Sequence, residues 1–328
     1  MYKECDDMVL RGRFAPTPSG LLHIGNAFSA LAAWLQIRKS GGQFVLRIED
    51  IDKTRSRPAF AEQQQDDLAW LGIDWDEGPR MGGPYSPYIQ SEREELYEAA
   101  LAELRNRNSL YPCYCSRSEL SSIASAPHGL SSEGPAYPGF CRHLTLAERS
   151  AKEMQKSPAL RFIMPPQPIS FIDGLFGPMR YDGDALGDFV IKRADGQFSY
   201  QLAVTVDDAA MGITHVLRGS DLLDSTPRQL ALYEALGLQA PSFTHVPVVT
   251  DAAGKRLSKR DKSLTLSSLK EAGVRPERIV GAIAYMAGWN GKLEPVSAAD
   301  LAASPDLFAS THMEVQLTED VLSWIMAT

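Results

Sequence analysis

Arg-Phe-Ala-Pro-Thr-Pro-Ser-Gly-Leu-Leu-His-Ile-Gly-Asn, residues 13 to 26, lies between an apolar run, Met8 to Phe14, and an amphipathic one, Ala27 to Lys39. The apolar run is short enough for a buried strand, while Ala27, Leu31, Trp34, Leu35 and Arg38 recur at helical spacing. Gly41-Gly42 ends that helix, and Gln43 to Ile48 starts a second strand. The unit is strand, loop, helix, strand. In such a unit the helix N-terminus offers unpaired amide groups and the positive end of the macrodipole, so an anion settles there. Gly20 and Gly25 let the backbone approach closely, and His23 can donate to a phosphate. Alone, His-x-Gly is a weak motif, since a Pro/Gly turn carrying a surface histidine has the same letters.

A second segment gives the first its weight. Lys255-Arg256-Leu257-Ser258-Lys259-Arg260 follows another apolar run, Phe243 to Val249, and a turn, Asp251-Ala252-Ala253-Gly254. Arg47-Ile48-Glu49-Asp50-Ile51-Asp52, Val206-Asp207-Asp208 and Thr226-Pro227-Arg228-Gln229 stand between the two. Together these segments resemble the signatures of class I aminoacyl-tRNA synthetases of the glutamyl subgroup, over roughly residues 10 to 265. Asn26 stands where that family usually has a second histidine, and Leu257 where it has methionine.

The resemblance implies an ATP site made of His23, Gly25, Asn26, Arg256, Leu257, Ser258 and Lys259, with Mg2+ accompanying the ATP. His23 and Lys259 would be the catalytic pair, stabilising the pentacovalent phosphorus and the departing pyrophosphate. It also implies a glutamate site made of Arg13, Phe14, Ala15, Pro16, Thr17, Glu49, Tyr200 and Arg218. In that site Glu49 would take the ammonium group, the arginines the carboxylates, and Tyr200 would act through its hydroxyl. Independently of the family, Arg218 ends an apolar strand, from which a guanidinium can fork onto a carboxylate. Glu49 likewise follows a strand, at the carboxyl end where open parallel sheets bind ligands.

Bulk properties set limits. The 328 residues can bury a substantial core, and 44% apolar with 23% charged residues is an ordinary folding composition. A formal net charge of -8 tells against a broad nucleic-acid surface, so any RNA contact must be local. Basic residues gather at Lys255 to Lys262 and at Arg142 to Lys156, the second reading as a solvated face. No apolar run approaches the length of a membrane span, and the chain reads as cytoplasmic, with no membrane partner, and as a monomer.

In chain order, a helix is expected from Ala59 to Leu71, a long surface loop from Trp75 to Pro87, and a helix from Glu92 to Asn106. Residues 108 to 185 are richer in Ser, Pro and Gly and read as an inserted subdomain. Cys113-x-Cys115 and Tyr137-x-x-x-Cys141 offer three thiolates to a metal there, and a reducing compartment favours that over disulfides. Tetrahedral zinc needs a fourth ligand, for which Tyr137, His128 and His143 are all open. Phe189 to Lys192, Phe198 to Val206 and Ile213 to Arg218 are expected to rebuild the sheet, with Asp207-Asp208 at a strand end in a turn. Ser225-Thr226-Pro227 caps a helix through Leu238, and after Lys262 the pattern is helical.

The expected architecture is an α/β fold, a doubly wound Rossmann-like parallel sheet with an inserted zinc-bearing subdomain and a short helical C-terminal region. Its divisions are residues 1–107, the first half of the nucleotide-binding domain; 108–185, the zinc-binding, acceptor-like insertion; 186–262, the second half; and 263–328, the tail. Val204, where ordinary glutamyl enzymes are expected to carry asparagine, and Gly219-Ser220-Asp221-Leu222 point to the small glutamyl-Q branch of the subgroup. So does the short stretch after Lys262, where ordinary members continue into a large anticodon-binding region. That branch implies Tyr137 as the fourth ligand of one structural Zn2+. It also implies glutamate, ATP and a queuosine-bearing tRNA(Asp) as partners. The alternatives are an enzyme charging a tRNA 3′ end without its anticodon domain, and a silent nucleotide- or RNA-binding relative.

Overall fold

The run ahead of the quoted stretch forms strand β1 (Arg11–Phe14) in the computed structural model, which describes residues 9–116, 119–120, 136–257, 264–304 and 311–327. The strands that follow are β2 (Gln43–Leu46), β3 (Leu110–Cys113), β4 (Ala159–Phe162), β5 (Ile169–Asp173), β6 (Gly177–Tyr181), β7 (Phe189–Lys192), β8 (His215–Gly219), β9 (Ser242–Val246), β10 (Val249–Asp251) and β11 (Val315–Leu317). By its internal contacts the chain divides into two units, Met1–Gln90 with Ile213–Asp221 and Thr244–Thr328, and Ser91–Gly212 with Leu222–Phe243.

In the first unit the sheet runs β2-β1-β8-β9, with β1 parallel to both of its neighbours. The helix Ile24–Arg38 returns from the end of β1, and its side chains Ile24, Ala27, Phe28, Ala30 to Ala33, Leu35 and Ile37 are all buried. Burial on every side marks a helix inside the unit rather than on its surface. Phe28 meets Trp289 with ring centroids 5.6 Å apart, and Leu217, Val246, Ile279 and Ile283 belong to the same core. Gly12 is required where this helix crosses β1, because a Cβ there would lie 2.4 Å from Cγ1 of Ile37.

Two expectations about this unit need correction. Residues Trp75 to Pro87 are not simply a surface loop: Leu46 donates its N–H to the Glu77 carbonyl and Asp76 to the Phe44 carbonyl, both at 2.8 Å. That pairing seats Glu77 where its carboxylate takes two donors from Arg11, at 2.8 and 3.0 Å, and the Tyr88 hydroxyl at 2.6 Å. The tail is not purely helical either, since β11 pairs parallel with β10 from Val249↔Val315 to Asp251↔Leu317.

The second unit holds an antiparallel sheet, β3-β4-β7, and a hairpin of β5 and β6. Phe189–Lys192 is therefore a strand, but it joins this sheet instead of rebuilding the parallel one. The expected strand Phe198 to Val206 is mostly helix, Tyr200–Ala210, whose N-cap Ser199 accepts from the Leu202 N–H. Short apolar runs do not separate a strand from a buried helix by pattern alone, and Leu202 to Val206 is such a run. Asp207 and Asp208 accordingly sit within a helix and are buried, not in a turn. Asp207 accepts from Arg93 Nε at 2.6 Å and from the Tyr97 hydroxyl at 2.8 Å.

Candidate active site and metal-ligand cluster

His23 is the N-cap of the helix Ile24–Arg38. Its Nδ1 accepts from the Gly25 N–H at 3.0 Å and from the Asn26 N–H at 3.4 Å, while Asn26 Oδ1 accepts from the His23 N–H at 3.2 Å. This is a capping box built with histidine in place of serine or threonine. An imidazole that accepts through Nδ1 carries its hydrogen on Nε2, so His23 is held in the tautomer that donates, at the positive end of a helix. Asn26 thereby has a visible duty. Gly25 has one too: a Cβ there would lie 2.9 Å from Cε1 and 3.0 Å from Nδ1 of His23.

Beyond β1 and β2 the two chains keep pairing. Arg47 donates its N–H to the Phe14 carbonyl at 3.1 Å and Glu49 to the Pro16 carbonyl at 3.0 Å, which brings Glu49 alongside the segment Arg13 to Thr17. Arg13 is buried, Phe14 and Ala15 are half-buried, Pro16 is buried and Thr17 is exposed. Glu49 is buried, and one of its oxygens takes Arg47 Nη2 at 2.9 Å. Arg218, on β8, is buried, and its Nε donates to Nε2 of the fully buried His245 at 3.0 Å. Gln64 reaches from the helix Pro58–Trp70 to the Thr17 carbonyl at 3.1 Å and the Gly20 carbonyl at 2.8 Å, fixing the turn that leads to His23. Tyr200 opens a helix of the second unit and is half-buried.

The sequence offers Arg47 only as part of the Arg47 to Asp52 segment, and assigns no role to His245 or Gln64. A histidine within the apolar run from Phe243 and an arginine two residues before Glu49 are the signals that could have found the first two. Gln64 has no such signal, because its role is a long-range contact with backbone.

The basic segment is described at its flanks. The Leu257 N–H donates to the Val249 carbonyl at 3.1 Å, and Leu257 is buried in the core of the first unit. Leucine there serves as an anchor, which explains why it can stand for methionine. Arg256 pairs with Asp221 at 2.8 Å in an exposed ion pair, a contact of small energetic weight. On the far side, the Leu266 N–H donates to the Leu22 carbonyl at 2.8 Å, next to His23. Ser258 and Lys259 lie outside the described residues.

In the second unit, the sulfurs of Cys113, Cys115 and Cys141 lie within 4.8 Å of one another. The Tyr137 hydroxyl is 3.1 Å from Cys115 Sγ and 3.7 Å from Cys113 Sγ, and Cys115 and Cys141 are 3.6 Å apart. A tetrahedral zinc about 2.3 Å from sulfur and about 2.0 Å from oxygen sets donor separations of roughly 3.5 to 3.8 Å; the 3.6 and 3.7 Å separations match it, the 3.1 Å contact is shorter, and small side-chain shifts would bring the group around one ion. The sulfur separation is far beyond a disulfide bond of about 2.05 Å. Without an ion, burial pushes the Tyr137 hydroxyl far up and the Cys115 thiol up to about 11, the state a bound cation would reverse. His143 is exposed on the turn after Cys141, and His128 lies outside the described residues.

The parallel sheet of the first unit thus carries a histidine capping its first helix, with Glu49 and Arg218 buried beside or on its strands. The chain belongs to the class I tRNA synthetases for glutamate and glutamine: the family described as "tRNA synthetases class I (E and Q), catalytic domain" matches residues 9–324. A relative named glutamyl-Q tRNA(Asp) synthetase, from Symbiobacterium thermophilum, is 56% identical over 316 residues, covering 96% of this chain and 98% of that one. Glutamate–tRNA ligase 2 of Syntrophus aciditrophicus is 41% identical over 321 residues, covering 96% of this chain and 65% of that one. Among solved structures, the glutamate–tRNA synthetase of Elizabethkingia anophelis superposes with a TM-score of 0.83 at 30% identity, covering 97% of this chain and 70% of that one.

Proposed function

We propose that this chain activates glutamate with ATP and transfers the glutamyl group to queuosine at the wobble position of tRNA(Asp). The observation that carries the reading is the gap in identity, 56% to a relative of that name against 41% to a glutamate–tRNA ligase. We read residues 108–185 as an insertion between two halves of a doubly wound nucleotide-binding domain, 1–107 and 186–262, with 263–328 as a tail, in a cytoplasmic monomer.

In this reading Arg13 and Arg218 hold the carboxylates of glutamate, Glu49 takes its ammonium group, Tyr200 contributes its hydroxyl, and Phe14 to Thr17 line the site. Arg47 and His245 fix the directions in which Glu49 and Arg218 point. The α-carboxylate of glutamate attacks the α-phosphorus of ATP and pyrophosphate leaves. The chain's task is to orient the two and to meet the charge that develops. His23 donates through Nε2–H and Lys259 through its ammonium group. Gly25, Asn26, Arg256, Leu257 and Ser258 shape the nucleotide site. Mg2+ bound with ATP supplies neutralisation of the phosphate charge. A hydroxyl of queuosine then takes the glutamyl carbonyl and AMP leaves. Cys113, Cys115, Tyr137 and Cys141 hold one structural Zn2+.

Amino-acid choice tests the glutamate site. Glutamine's amide would present NH2 to a guanidinium, donor against donor. Pyrophosphate exchange, with tRNA(Asp) present, should run with glutamate and scarcely with glutamine. Arg218→Ala should lower glutamate exchange by about 2 to 5 kcal/mol of transition-state stabilisation, having left a carboxylate unpaired. Equal use of both amino acids by the unmodified protein, or an equal fall for both in the variant, would remove the carboxylate clamp.

A further inference from the structure

Arg161, on β4, is 6% exposed, and its guanidinium carbon lies 3.9 Å from the centre of the Tyr137 ring. Its Nη1 donates to the backbone carbonyl of Asp188 at 2.8 Å, and its Nε is buried without a partner. The Asp188 side chain bonds neutral donors, Oδ2 taking the Tyr111 hydroxyl at 2.7 Å and Oδ1 the Met164 N–H at 2.8 Å, and makes no direct pair with Arg161. Among the described residues no carboxylate forms an ion pair with Arg161. A buried cation with no direct ion pair is costly, so further negative charge close to its guanidinium stabilises it.

The ring under Arg161 supplies that charge when its hydroxyl serves as a ligand. One Zn2+ bound by three thiolates and a phenolate makes a centre with two negative charges, and the Tyr137 hydroxyl is the donor that meets the sulfurs at 3.1 and 3.7 Å. We infer that Arg161 is the counter-charge of this metal centre and the positioning residue that holds Tyr137 as its fourth ligand. The strands make the arrangement rigid: β3 carries Cys113 and β4 carries Arg161, paired in the register Tyr111↔Arg161 and Cys113↔Ala159. Arginine suits the role because its planar cation can lie over a ring face, an attraction that grows as the ring gains electron density and as water is excluded. Groups behind the ligands of a metal commonly change its affinity by about 10- to 100-fold.

The inference rests on the zinc reading above, and the test separates the two. Zinc content would be measured on freshly purified protein, and zinc affinity by competition with a chromogenic chelator. The proteins would be unmodified, Arg161→Gln, Arg161→Lys, Tyr137→Phe and Arg161→Gln with Tyr137→Phe, each checked for folding by circular dichroism. Arg161→Gln should weaken zinc binding by about tenfold or more, and Arg161→Lys by less, because it keeps the charge and loses the flat stack. In the Tyr137→Phe background the same Arg161→Gln change should cost under about threefold, since the phenolate it serves is gone. With cobalt in place of zinc, Arg161→Gln should shift the visible absorption towards that of Tyr137→Phe. Equal losses with and without the tyrosine hydroxyl, an unchanged cobalt spectrum, or full affinity in Arg161→Gln would each overturn the inference while leaving the metal site standing. No zinc in the unmodified protein would overturn the metal site and the inference together.

Discussion

At the scale of single residues, His23 shows how a weak motif acquires a mechanism. Its Nδ1 is occupied by the amides of its own helix, which leaves Nε2–H as the group able to meet a phosphate. In most helices replacing glycine by alanine gains roughly 0.8 to 1.0 kcal/mol. At Gly25 the new Cβ would fall 2.9 Å from the imidazole, so Gly25→Ala should push His23 off its cap. Pyrophosphate exchange should then fall by about two to three decades, as when one transition-state donor is lost, while the melting temperature moves little. Exchange within threefold of the unmodified protein would show that the imidazole is not needed in this pose. Glu77 gives a second case. Burial pushes its carboxyl up, but donation from Arg11 and Tyr88 outweighs this and holds it below the ordinary 4.5. A carboxylate depressed in the folded state contributes stability that is present above 4.5 and disappears as the pH falls through the folded value. Glu77→Gln should therefore cost on the order of 3 kcal/mol at pH 7 and show a flatter acid limb in urea denaturation. An acid limb of unchanged steepness would mean that other carboxylates govern it.

Secondary-structure elements were legible to the degree that their patterns were local. The strand, turn and helix around His23 could be read because Pro, Gly and the helical spacing of apolar residues all agree there. The run Phe198 to Val206 has the letters of a strand, and only the packing of the second unit decides for the helix Tyr200–Ala210. The role of Asp207 follows from that helix, since its burial against Arg93 and Tyr97 depends on helical geometry. Asp207→Ala should take a counter-charge from the buried Arg93 and the acceptor from Tyr97, and cost about 3 to 5 kcal/mol, read as a lowered urea midpoint. A loss under 1 kcal/mol would show the pair to be dispensable. The role of Arg161, and the partner of His245, likewise depend on long-range packing. Each acts through a residue distant in sequence, Tyr137 outside any strand and Arg218 on β8, and spacing along one element carries no record of that.

For the whole molecule, the α/β class and its parallel sheet follow from the order of apolar runs and turns, whereas pairings between distant segments do not. β11 is three residues long and meets a partner 66 positions away, Val249↔Val315, beyond any local signal. The antiparallel sheet of the second unit likewise joins Leu110 to Phe162 and Phe162 to Phe189 across stretches whose composition suggested only an insertion. The candidate site was more legible than its supports: the Arg13 to Asn26 stretch and Glu49 come together through β1 and β2, while the pairing of Arg47 with Glu49 and the reach of Gln64 appear only once the chain is folded. Among the described residues no helix is long and apolar enough to cross a membrane. The central claim concerns the acceptor, and labelled glutamate tests it most directly. Given ATP and either queuosine-containing or queuosine-free tRNA(Asp), followed by nuclease mapping of the label, the protein should mark only the queuosine-containing RNA, in the anticodon-loop fragment. Label on queuosine-free tRNA(Asp), or at the 3′ end of any tRNA, would contradict the account.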